Sequence, residues 1–257
     1  ILIGGLFATV AYVVALNKNQ MAMVDLVWSL SIGVGGLFYA VTESVSGDGW
    51  NWRLFTVTTT LCLWAFRLSL HLYTDRIRSG CEDARYANLS NYWGSRAKRN
   101  FYFLFIAQIL LAILFLIPVI HASSNPKPFG SFCDILGISI ACIALLGETV
   151  ADQQLADFRS NEANRGRVCS HGLWRFSRHP NYFFEWIYWW SFVAFAWGAS
   201  GIWVSLLGPA CMYLFLRFLT GIPHAERSSL RKRGEAYRLY QQSTNMFFPW
   251  IPRQRQF

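Results

Sequence analysis

The chain has 257 residues, of which 54% are hydrophobic and 17% aromatic while only 14% are charged, against about a quarter in a soluble domain; this excludes an ordinary soluble globule and points to a membrane protein. The net charge of +9, from 23 Lys and Arg against 14 Asp and Glu, suits nucleic acid, anionic lipid or a phosphate-bearing ligand until its placement is known. Six scattered cysteines (Cys62, Cys81, Cys133, Cys142, Cys169 and Cys211) have no C-x-x-C spacing, so neither a disulfide framework nor a zinc site is implied.

Apolar runs able to cross about 30 Å of hydrocarbon fall at 1–16, 21–41, 53–73, 101–121, 132–151, 183–199 and 201–219. They predict an all-α polytopic membrane protein with seven transmembrane helices. The opening ILIGGLFATVAYVVAL lacks a basic n-region and a cleavage site, so it is expected to be a first span and not a signal peptide. The last two runs are joined through Ala199, Ser200 and Gly201, which predicts a tight hairpin.

Alternating loops put 20 of the basic residues on one face and only Arg53 and Lys127 on the other. The positive-inside rule then makes the basic face cytoplasmic, with the N-terminus outside and the C-terminus cytoplasmic. Nucleic acid drops out as a partner, leaving the lipid bilayer and a lipophilic small molecule; no obligate protein partner is implied. The connections 74–100 and 152–182 are the long ones on the basic face, and they suit a cytosolic anionic ligand. No internal repeat divides the chain, so residues 1–257 are expected to form a single domain.

In chain order, the second span carries MVDLVWSL, with Asp25 and Trp28 on one face, and the third carries LWAFRLSLH, with Trp64, Arg67 and His71 aligned. An Asp25–Arg67 pair is the expected way to hold two charges at that depth. The loop after the third span, CEDARYANLSNYWG, offers Glu82, Asp83, Arg85 and Tyr86. The fifth span ends GETVADQQLADFR, where Glu148 and Asp152 lie four apart, a turn or two before Arg159. These carboxylates can accept hydrogen bonds from ribose hydroxyls or an amide, or pair with Arg159 or Arg165.

In GLWRFSRHPNYFFE, Pro180 fits the first turn of the sixth span, with Ser177 or His179 available as cap. Asn181 and Glu185 then share a face. A helix N-terminus with Arg167, Arg175 and Arg178 beside it suits a phosphate, while Trp186, Tyr188, Trp189 and Trp190 read mainly as belt and packing residues. His121 and His224 have no second ligand at usable spacing, so no metal site is expected, and no Gly-rich strand-to-helix turn exists to hold a dinucleotide in a Rossmann fold.

The run SRHPNYFFE, the helix end E-x-x-x-D-Q, the V-D-x-x-W and W-x-x-R-L patterns of the second and third spans, and the tail RKRGEAYRLYQQSTNMFFPWIP together resemble the steroid 5-alpha-reductase superfamily. The likeness covers essentially the whole chain and is with the bacterial multi-spanning branch. It implies NADPH-dependent reduction of the carbon–carbon double bond of a lipophilic enone such as a 3-oxo-delta4-steroid. It also implies a bacterial inner-membrane enzyme whose cofactor region, mainly 148–257, faces the cytoplasm. By position, Asp152, Arg159, Asn181, Glu185 and Arg217 match the family's cofactor contacts, with Arg167, Arg178, His179, Tyr182 and His224 as additions. The chain has no Gln-Glu dipeptide, and Trp64 stands where the animal enzymes' substrate-reading Tyr would be. The acid that polarises a carbonyl is therefore left open among Asp25, Glu148 and Tyr86.

The R-H-P-x-Y run and the G-x-x-Y-x-x-Y tail are also similar to membrane methyltransferases of the isoprenylcysteine carboxyl type, which would imply S-adenosylmethionine. A third reading, a non-enzymatic lipid-binding or transport protein, accounts for the spans alone.

Overall fold

The computed structural model describes residues 2–46, 51–78, 80 and 82–253. Cys81, Arg255 and the first residue of the first predicted span lie outside them. No strand occurs among the described residues. The helices are α1 (Leu2–Lys18), α2 (Met23–Ser46), α3 (Trp52–Leu72), α4 (Ala84–Trp93), α5 (Ala97–Ser123), α6 (Phe132–Ser160), α7 (Pro180–Phe195), α8 (Leu207–Leu214), α9 (Ile222–Arg233) and α10 (Glu235–Ser243).

Four segments are long and apolar enough to cross a membrane: Met23–Ser46, Ala84–Ser123, Phe132–Ser160 and Ile202–Arg233. In lipid a helix satisfies its own backbone polar groups, which is why apolar runs of this length fold this way. α1 is apolar but shorter, with 17 residues, and α7 has 16. α3 dilutes its apolar positions with Thr56, Thr58, Thr59 and Thr60 and carries Arg53, Arg67 and His71.

Three stretches differ from the expectation. The connection 74–100 is largely helical: a π-helical turn (Tyr73–Ile77), α4 and a 3-10 turn (Gly94–Arg96) lead into α5. The last predicted span, 201–219, is broken into a 3-10 turn (Ile202–Leu206), α8 and a π-helical turn (Phe215–Leu219). Pro209 has no N–H to donate, so a regular helix restarts around it and does not run through. The joint before it is longer than three residues, since α7 stops at Phe195 and the turn uses Gly198 and Gly201 at φ of +81° and +73°, a region open to glycine. α9, at the polar end of the Ile202–Arg233 segment, and α10 are not apolar enough to be spans of their own.

The chain divides into two compact units. In the first, residues 1–129 with 196–207, α2 packs on α1, α3 and α5. Small residues let α2 and α3 approach closely: a Cβ on Gly36 would lie 2.2 Å from Leu61, and one on Gly33 2.6 Å from Ala65. Trp64 is fully buried there, edge-on to Trp28 at 5.7 Å, so its side chain packs in the core. In the second, residues 130–195 with 208–257, a Ser131–Asp134 capping box starts α6. α6 then runs antiparallel to α7, Gly137 against the Phe195 ring and Gly147 against that of Phe184.

Candidate functional site

The α6–α7 pair positions most of the acidic and amide groups singled out in the sequence. Asn181, in the first turn of α7, donates from Nδ2 to Asp152 Oδ1 at 3.0 Å. With Gly147 opposite Phe184 and Asp152 opposite Asn181, the antiparallel register sets Glu148 level with Glu185. Both glutamates are buried, and Glu185 Oε1 accepts the indole N–H of Trp189 at 3.1 Å. Asp152, Asn181 and Tyr182 are half-buried at the end of this pair, while Arg159 in the last turn of α6 and Arg167 in the following loop are exposed.

Arg178 and His179 work inward. Arg178 Nε and Nη2 donate to the two carboxylate oxygens of Glu226 on α9, at 2.7 and 3.2 Å. Nη1 donates to the carbonyls of Gln241 and Thr244 at 3.0 and 2.7 Å, so four of the five guanidinium N–H groups are engaged. The same carboxylate accepts His179 Nε2 at 3.2 Å, Tyr237 Oη at 3.1 Å and Gln241 Nε2 at 2.5 Å. Burial lowers the His179 pKa below its ordinary value, with the Glu226 hydrogen bond opposing, and a neutral ring donating through Nε2 fits this contact. Burial first, and Glu226 second, hold the Tyr237 phenol above its usual range.

Ser177 completes the clamp: its hydroxyl accepts His179 N at 3.1 Å ahead of Pro180 and donates to the Phe247 carbonyl at 2.8 Å. Tyr240 donates to the Trp174 carbonyl. The His179 ring stacks on Tyr182, 5.5 Å apart and 9° from parallel. Arg217 lies in the π-helical turn with its guanidinium 5.0 Å from the Phe218 ring centre, and His224 is half-buried in the first turn of α9.

The first unit holds its own polar cluster. Asp25 Oδ2 accepts Arg76 at 2.5 Å and Arg85 at 2.8 Å, and Oδ1 accepts the buried Tyr86 hydroxyl at 2.6 Å. The expected Asp25–Arg67 pair is thus corrected, because the turn after α3 and the start of α4 bring two closer guanidiniums. Asp83 caps α4 by accepting Arg85 N at 2.8 Å. Burial pushes its carboxyl up, but the bonds and charge of Arg85 outweigh this and the net shift is downward. Glu82 accepts the N–H groups of Met21 and Ala22 at 2.5 and 3.2 Å, tying this loop to the α1–α2 corner. Of the three candidate acids, Asp25 and Tyr86 therefore form one hydrogen-bonded pair, and Glu148 belongs to the second unit.

A model of the family described as "Protein of unknown function (DUF1295)" matches residues 11–244. The chain belongs to the DUF1295 family. An uncharacterised protein of Schizosaccharomyces pombe is 25% identical to this DUF1295 chain over 97% of the chain and 78% of its own length. No solved structure matches.

Sequence reasoning missed Glu226, the hub of the α9–α10 clamp, and with it Tyr237 and Gln241. A signal was present. Glu226 is the lone acid between Glu185 and Glu235, in a stretch that carries Arg217, Arg227, Arg231, Lys232 and Arg233, where a single carboxylate is worth testing as a buried partner.

Proposed function

We propose that this DUF1295 protein is an NADPH-dependent membrane reductase that saturates the carbon–carbon double bond of a lipophilic enone such as a 3-oxo-delta4-steroid. The observation that carries the reading is the Asn181–Asp152 hydrogen bond at the end of the α6–α7 pair, formed by two residues that match cofactor contacts in the resemblance to the steroid 5-alpha-reductase superfamily. The donor set suits a phosphorylated dinucleotide. Asn181 and Asp152 offer an amide and a carboxylate for carboxamide and ribose groups, and Arg159, Arg167 and Arg217 offer cations for phosphates.

When bound, NADPH would supply the hydride for the β carbon of the enone. The chain's own part is to orient, exclude water and hold a proton. Glu185, buried beside Trp189, braces the face that carries Asn181, and the Arg178–Glu226 clamp fixes the start of α7. In the first unit Tyr86 gives its O–H to Asp25, which Arg76 and Arg85 also hold. Donors aimed at developing charge in a dry site are a large catalytic contribution.

The basic-residue distribution supports seven crossings, with the N-terminus outside and the long loops in the cytoplasm of a bacterial inner membrane. The test is purified protein in lipid with NADPH deuterated at the transferable C4 position and a 3-oxo-delta4-steroid. A saturated ketone carrying the label is expected. Methyl transfer from S-adenosylmethionine with no reduction would overturn the reading in favour of the methyltransferase.

A further inference from the structure

A cleft of about 500 Å³ opens between the 166–175 loop, α10 and the tail. Arg167, Arg175 and Arg253 line it with Ser170, Ser243 and Thr244, and no Asp or Glu is among the lining residues. All three arginines are exposed. Among the described residues none of their guanidiniums makes a salt bridge, although Glu226 draws Arg178 into an ion pair elsewhere in this unit. The walls are fixed: Arg233 Nε donates to the Arg167 carbonyl at 2.7 Å, Arg253 N to the Ser243 carbonyl at 2.9 Å, and Trp250 N to the Phe176 carbonyl at 2.9 Å. Immediately before Pro252 and Arg253, Trp250 is 70% and Ile251 76% exposed.

We propose that this cleft is a phosphate-ester site, which shares Arg167 with the cofactor reading but contains none of Asp152, Asn181 and Glu185, and that it takes the headgroup of an acidic phospholipid or the phosphate of a soluble compound. Three guanidiniums around one cavity without a carboxylate concentrate positive potential, and the planar fork of Arg matches phosphate oxygens two at a time. The Ser170 hydroxyl adds a neutral donor for the ester or glycerol oxygens. The lipid source is favoured by Trp250 and Ile251, because an exposed indole and aliphatic side chain beside a basic cleft are the groups that sit at a bilayer interface.

The test uses the full chain in detergent, titrated with short-chain phosphatidylglycerol, short-chain phosphatidylcholine and inorganic pyrophosphate, followed by tryptophan fluorescence. Phosphatidylglycerol should bind more tightly than phosphatidylcholine, and the double variant Arg175→Gln/Arg253→Gln should lose about thirtyfold in that affinity. Arg175→Lys/Arg253→Lys should retain most of it. If the loss appears with pyrophosphate and not with phosphatidylglycerol, the ligand is a soluble phosphate compound. NADPH affinity should be unchanged in both variants, which separates this site from the cofactor reading. Equal affinity for the two lipids together with no loss for pyrophosphate in the Gln variant overturns the proposal. So does wild-type phosphatidylglycerol binding that stays flat from about 50 to about 500 mM NaCl, a measurement that needs no variant.

Discussion

Replacing Glu226 by Ala should destabilise the second unit by about 3–5 kcal/mol, the range for removing one partner of a buried ion pair. The guanidinium of Arg178 and the carboxylate of Glu226 are only 6% and 12% exposed, so solvent screening takes little from this figure. Without the carboxylate, Arg178 keeps only the carbonyls of Gln241 and Thr244, and the Tyr237 hydroxyl and His179 Nε2 lose the acceptor they share. The two surviving carbonyl bonds favour the lower half of the range. Thermal unfolding in detergent, read by the labelling rate of buried Cys169, measures the effect. Arg178→Met/Glu226→Leu should cost clearly less than the sum of the single changes, because no buried charge is then left uncompensated. A loss below about 1 kcal/mol for Glu226→Ala, the scale of an exposed pair, would refute the clamp.

Asn181→Ala and Glu185→Gln should each weaken NADPH binding by an amount set by charge-assisted hydrogen bonds of about 1.5–3 kcal/mol, with the melting temperature of cofactor-free protein little changed; lost stability at unchanged affinity would make the pair structural. His179 has a folded pKa below its ordinary 6.5, so its contribution to stability is present above about pH 6.5 and is lost as pH falls from there through the folded value. His179→Gln should flatten the melting-temperature profile in that acidic window, and an unchanged profile would assign the acid loss to other groups. Gly147→Ala would put a Cβ about 2.5 Å from the Phe184 ring, and overpacking of this kind costs about 1–3 kcal/mol; unfolding that matches wild type would mean that α6 and α7 do not pack this closely.

The helical class and the four segments long and apolar enough to cross a membrane were legible because an apolar stretch in lipid has few alternatives to a helix. The i, i+4 spacings of Glu148 with Asp152 and of Asn181 with Glu185 were equally readable, since each pair lies within a single helix. Which residues meet between helices was not. Arg178 reaches Glu226 across 48 positions, and Asp25 meets Arg76 and Arg85 instead of Arg67, through a turn and a short helix that hydropathy reads as a loop. The broken stretch 201–219 shows the same limit, because its apolar content is that of a span while Pro209 decides the backbone. The polar α9 and α10 give no hydropathy signal at all, so the clamp on the start of α7 had nothing to announce it except one acid in a basic tail.

The reductase reading depends on which nucleotide the protein binds, and that nucleotide can be identified after release. Protein purified under mild conditions, denatured and analysed by mass spectrometry should release NADPH or NADP, and Asn181→Ala should release much less at the same protein concentration. Recovery of S-adenosylmethionine or its demethylated product, with no nicotinamide nucleotide, would contradict the account.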